Sequence, residues 1–364
     1  MPIPGDSFQR LLSRIDARTV DEAECVVSVL LAIAVAHWLG ADHVSWAAYA
    51  GYMVMRGHVA ETLSRGILRI AGTAAGGVMA LSLATPMIGH VATVACLLFV
   101  VGTFSLYAAI VFRRSYAWLF FGLTFVMVVL DKMEHPEIAL SAFVQTRMLE
   151  TVAGTAACMA VSMASAVTLR RRWPAIRTPA APTYGWHGDA VRHSVQCGIA
   201  LLLMALVGPW LNVPALAQGA VTIMAVMLVP VSGLGPHPVR RRIRQRLLGC
   251  LAGAGVAILV LLAARGSAPI LILGTIIGVI VGRHIENGPS PYRYAGMQFT
   301  LAILVILVPD SYAGATTAPG LERLLGILLG MALLEPVLWA FRLVGTRGSS
   351  DSAGAAAAGK VGDI

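Results

Sequence analysis

The sequence predicts an all-α membrane protein of about twelve transmembrane helices, arranged as two six-helix repeats, each built from two inverted three-helix units. Three observations carry that expectation. First, 57% of the 364 residues are apolar and 12% are charged, at a mean hydropathy of +0.78; a soluble core of ordinary shape cannot hide that much apolar surface. Second, a skeleton Arg-x-x-Gly-x-x-x-Gly occurs at Arg69, Gly72, Gly76, at Arg246, Gly249, Gly253 and at Arg323, Gly326, Gly330, and a further copy, Arg147, Glu150, Gly154, changes one residue. Arg69 and Arg246 are 177 residues apart and Arg147 and Arg323 are 176 apart, while the copies within each half are separated by 78 and 77, the register of a nested repeat. Third, with a cytoplasmic N-terminus and twelve alternating helices, 23 of the 27 Lys and Arg fall inside, leaving Lys132, Arg147, Arg265 and Arg323 outside. That asymmetry satisfies the positive-inside rule, puts both termini in the cytoplasm and accounts for the net charge of +9 without invoking nucleic acid.

In chain order, residues 1–20 form an interfacial element: Phe8, Leu11, Leu12 and Ile15 share a face at helical spacing, while Arg10, Arg14 and Arg18 follow another. The first six-helix repeat is expected over 21–172. Its second span, Val44–Ala60, has an apolar core of about twelve residues before Arg56 and His58, roughly 18 Å against ~30 Å of hydrocarbon, so it is short, broken or lines water. A Pro-rich cytoplasmic linker follows at 173–192, then a second repeat at 193–345 and a disordered Ala/Gly/Ser-rich tail at 346–364. The five cysteines are scattered singly and read as small core residues; no histidine pair, nucleophile elbow or phosphate loop is present. The sequence therefore argues for no enzyme, no cofactor and no metal.

Residues with chemistry in the spans have two readings each. Gly72, Gly76, Gly154, Gly249, Gly253, Gly326 and Gly330 are small residues four apart that let helices approach. Arg69 and Arg246 open helices at the cytoplasmic face, where an arginine anchors to head groups or draws in an anion. Arg147 and Arg323 open helices at the face otherwise almost free of cations, so they are paired with Glu150 and Glu322 or form a positive lip for an organic anion. Ionisable groups within spans are costly, which marks Arg56 as a binding candidate and Glu61, Glu150 and Glu335 as proton-coupling candidates, Glu335 being the deepest and followed by the kink-forming Pro336. Gln218 and Gln298 are uncharged binding candidates, and Trp46 and Tyr49 form an aromatic wall or an interface belt.

Trp46 in a short second helix, the run Glu61–Gly76, Arg147–Gly154, Arg240–Gly253, Tyr294–Gln298 and Arg323–Gly330 together resemble the fusaric acid resistance, or aromatic acid exporter, family of bacterial inner-membrane proteins, in a short form without large cytosolic domains. The resemblance implies a multi-pass inner-membrane exporter of small organic acids, driven by the proton gradient, in some members working with a periplasmic adaptor. In that reading Arg56, Arg69 and Arg246 attract a carboxylate from the cytoplasm, Arg147 and Arg323 receive it near the exit, and Glu335, with Glu61 or Glu150, carries the coupling proton. The partners are then the anion and the bilayer, with a homo-oligomer left open. A passive organic-anion channel and a non-transporting membrane subunit of a larger assembly are the alternatives.

Overall fold

A chain this apolar has to satisfy its backbone polar groups internally, and helices do so within one segment. In the computed structural model, which describes residues 16–87, 89–178, 185–211, 216–312 and 316–358, the regular elements are all helical. They are α1 (Ala17–Trp38), α2 (Val44–Val54), α3 (Val59–Leu83), α4 (Val91–Val111), α5 (Ser115–Glu134), α6 (Leu140–Val167), the single turn α7 (Leu169–Arg172), α8 (Gly188–Leu211), α9 (Leu216–Met227), α10 (Pro236–Ala264), α11 (Ala268–Glu286), α12 (Arg293–Leu307) and α13 (Ala318–Ala358). Eight of them, α3, α4, α5, α6, α8, α10, α11 and α13, are long and apolar enough to cross a membrane.

The differences from the expected boundaries have local causes. Capped by Asp16, whose carboxylate accepts from Thr19 N at 2.7 Å, α1 starts eight residues before the expected span at Cys25. It carries Arg18, Asp21, Glu22 and Glu24 in its first two turns and is not among the eight. Residues 1–15 of the expected interfacial element lie outside the described residues, and 17–19 are the first turn of α1. The expected second span divides: α2 stops at Val54, the chain is irregular over 55–58, and Glu61 and Arg65 belong to α3. At 11 and 12 residues, α2 and α9 rise about 16 and 18 Å, well short of a bilayer. Of the linker, 173–178 and 185–187 are irregular, 179–184 lie outside the described residues, and 188–192 open α8. The segment read as a disordered tail is helical through Ala358 as the end of α13, in keeping with the high helix propensity of its alanines.

Glycines set how closely the helices cross. A Cβ at Gly72 or Gly76 would lie 2.4 Å from the carbonyl oxygens of Ala117 and Phe121 on α5, and one at Gly249 or Gly253 the same distance from those of Ala295 and Phe299 on α12. Likewise Gly154 of α6 sits on the Ala47 carbonyl of α2, and Gly330 of α13 on the Gly219 carbonyl of α9. The same crossings thus occur in both halves of the chain. Helix α4 packs on α8 and α1 packs on α11, joining one half to the other.

Candidate functional site

At one end of the bundle α1, α5, α8 and α12 finish and α2, α6, α9 and α13 begin. Because α2 and α9 are short, their N-termini leave space there: a cavity of about 870 Å³ lined by segments of both halves. Each short helix is capped by a carboxylate from the other half. Asp310, beyond α12, accepts from Val44 N at 2.8 Å, and Glu134, the last residue of α5, accepts from Leu216 N at 2.7 Å. A carboxylate offsets the partial positive charge of a helix N-terminus. Asp310 also holds His43 at 3.6 Å, and the hydrogen bond raises the imidazole's pKa above its ordinary 6.5.

The cavity gathers Trp46, Arg147, Gln218 and Arg323, with Tyr49 beneath them. Trp46 and Tyr49, one turn apart on α2, meet edge to face at 5.2 Å. The Arg147 guanidinium lies 4.5 Å over the Trp46 ring, 3.1 Å from Glu150 Oε2 and 3.7 Å from Asp131 Oδ2. Arg323 lies 5.4 Å over the Tyr49 ring and donates to the Tyr49 hydroxyl at 3.3 Å and to Gln218 Oε1 at 3.5 Å. Tyr49 in turn donates to the Leu301 carbonyl at 2.8 Å. The two arginines share the wall with Asp131, Glu134, Asp310 and Glu322, so the rim is mixed in charge rather than a positive lip.

The other motif arginines are buried toward the opposite, arginine-rich end. Arg69 lies 4.0 Å over the Phe120 ring and donates to the Tyr116 hydroxyl at 3.3 Å; Arg246 donates to the Tyr294 hydroxyl at 3.3 Å, to Gln298 Oε1 at 3.0 Å and to Thr222 Oγ1 at 3.2 Å. In each half the arginine one turn earlier covers the same tyrosine, Arg65 over Tyr116 at 4.0 Å and Arg242 over Tyr294 at 4.7 Å. Arg56 and Glu61 line a second cavity, of about 520 Å³, with Arg65 and Arg177, and Glu61 accepts from the backbone and hydroxyl of Thr178. Glu335, expected deepest, is instead half-exposed and sits 3.5 Å from Arg240 in the first turns of α10. Glu150 is the buried one of the three carboxylates, with Oε1 lacking a partner among the described residues.

Sequence reasoning missed a second charged assembly. Asp21 of α1 binds Arg283 of α11 at 2.7 Å and accepts from Asn287 at 2.6 Å; Arg283 also reaches Glu286 at 3.3 Å, which accepts from Tyr52 at 2.6 Å. Arg170 and Ser165 hold Glu24. The available signal was Asp21 and Glu24, three apart in the first two turns of a helix that is largely apolar from Cys25 onward. Asp310 and Glu134 were missed too, although their 176-residue separation matches that of Arg147 and Arg323.

A protein-family model described as fusaric acid resistance protein-like matches residues 31–161 and 203–335, well over half of the chain. No curated protein and no solved structure matches it.

Proposed function

Because the chain belongs to the fusaric acid resistance protein-like family, we propose that it is a multi-pass inner-membrane transporter that exports small aromatic or amphipathic organic acids. In this reading the twelve longer helices and half-helices are two six-helix repeats of inverted three-helix units, and the arginine-rich end, with both termini, faces the cytoplasm. The observation that carries the proposal is the cavity between the halves, where the buried Arg323 guanidinium lies against the Tyr49 ring and Trp46 lines the wall. A guanidinium takes a carboxylate and a ring face takes an apolar body. Arg56, Arg65, Arg69 and Arg246 supply positive charge at the opposite end. Coupling to protons falls to Glu150 rather than Glu335: each faces an arginine, but Glu150 is buried with Oε1 unpartnered among the described residues, whereas Glu335 is half-exposed.

The test is flux of a panel of aromatic and aliphatic carboxylates from liposomes holding purified protein, with and without a pH gradient. Saturable flux that follows the gradient is the expected result. Flux that neither saturates nor responds to the gradient would replace the carrier with a passive anion channel. No flux from folded protein, with another protein co-purifying stably, would make the chain a membrane subunit.

A further inference from the structure

Arg147 and Arg323 come from copies of one motif and face one cavity, yet their partners differ in charge. Arg147 is held by two carboxylates, Glu150 at 3.1 Å and Asp131 at 3.7 Å. Arg323, 4% exposed, is held by neutral acceptors, the Tyr49 hydroxyl and Gln218 Oε1; among the described residues no carboxylate comes within ion-pair distance of it. The difference traces to the third position after the arginine, which is Glu150 in one copy and Gly326 in the other. Of the other wall carboxylates, Asp310 and Glu134 cap the N-termini of α2 and α9, and Glu322 is exposed and outside ion-pair distance of Arg323. The Nε of each arginine is buried and without a partner among the described residues, so that atom does not distinguish them. What separates them is net charge: a cation already matched by carboxylates offers an incoming anion little, whereas a buried cation among neutral groups is short of a counter-charge.

Resting on the reading of the chain as an organic-acid transporter, we propose that Arg323 binds the substrate's carboxylate in the cavity, while Glu150 and Asp131 keep Arg147 neutralised. One uncompensated guanidinium accommodates one carboxylate. A second carboxylate on the same solute would meet Asp131, Glu134, Asp310 or Glu322, so the cavity selects monocarboxylates over dicarboxylates.

The reciprocal substitutions test this on full-length protein, using benzoate and isophthalate as probes of binding in detergent and flux in liposomes. Gln218→Glu gives Arg323 an isosteric carboxylate partner and should weaken benzoate binding about tenfold, the scale of one charged hydrogen bond. Glu150→Gln together with Asp131→Asn unmasks Arg147 and should bring in measurable isophthalate binding. Adding Gln218→Glu to that pair, with the site moved to Arg147, should recover benzoate. Arg147→Gln should cost benzoate binding less than about threefold, under half of that charged-bond scale. Should Gln218→Glu not reach the folded state, Arg323→Gln serves as the second loss variant, with protein level and monodispersity matched. Wild-type flux that survives both loss variants, or falls equally with Arg147→Gln, overturns this assignment alone. Absence of benzoate binding and of flux for every carboxylate in folded wild type overturns the transport reading itself.

Discussion

Two of the seams along which the halves of the chain meet are made of opposite materials. Where α4 meets α8 the contact is shape. A Cβ at Gly198 would stand 2.0 Å from Thr103 Oγ1 and 2.8 Å from the Phe99 carbonyl, and one at Gly102 would stand 2.3 Å from Leu201 Cδ1. Where α1 meets α11 the contact is charge, with Asp21 of α1 paired with Arg283 of α11 and Glu22 of α1 with His284 of α11. In lipid the first kind of seam is held by close approach, because the tails compete for apolar surface as well as another helix does. The second depends on every charge being matched, because an unmatched one has no water to fall back on.

The largest expected effect breaks the charged seam. Arg283→Met leaves the buried Asp21 carboxylate without its closest partner and should destabilise the protein by about 3–5 kcal/mol, read as a lower melting temperature in detergent. Adding Asp21→Asn to Arg283→Met should restore most of the loss, since both charges of the closest pair are then gone; no recovery would mean that shape holds this seam as well. A smaller effect is expected at the shape seam. Gly198→Ala forces the Phe99 backbone to move and should cost roughly 1–3 kcal/mol by the same measurement. Gly102→Ala meets the flexible end of Leu201 and should cost less than Gly198→Ala. If the two alanine variants melt together, the backbone contact is not what sets the approach.

The smallest effect lies at the cavity mouth and depends on pH. The Asp310 hydrogen bond raises the folded-state pKa of His43 above 6.5, so the stability this pair contributes is fully present below 6.5 and is lost as pH rises through the folded value. The half-exposed setting keeps the contribution small. His43→Gln should flatten that part of the melting temperature's pH profile while leaving stability above it nearly unchanged.

Much of the site was legible because charge is expensive where the chain is apolar. Arg147 and Arg323 stood out as cations on the wrong face, and the structure brings them with Trp46, Tyr49 and Gln218 to one cavity. Glu335 was misjudged because depth was read from sequence distance to the nearest polar run. That measure ignores Arg240, which α10 brings alongside from almost a hundred positions away. The charges of α1 were passed over for the converse reason: acids at a helix start look solvated until another helix is known to cover them. Arg283 and Arg170 counted as topology signals, and nothing local to them announces Asp21 or Glu24 as partners.

The sequence by itself determined that this is a helical, membrane-embedded chain, where most helices lie, that one motif recurs in fixed register and that one copy carries Glu150 where the others carry glycine. Those features follow from composition and from spacings within single helices, which are local properties. Only the tertiary structure decided which arginines face a common cavity, which of them meets carboxylates and which neutral groups, and that one seam between the halves is glycine against backbone and the other arginine against aspartate. Those are contacts between residues far apart in the chain, set by how the helices cross, and no periodicity within one helix encodes them.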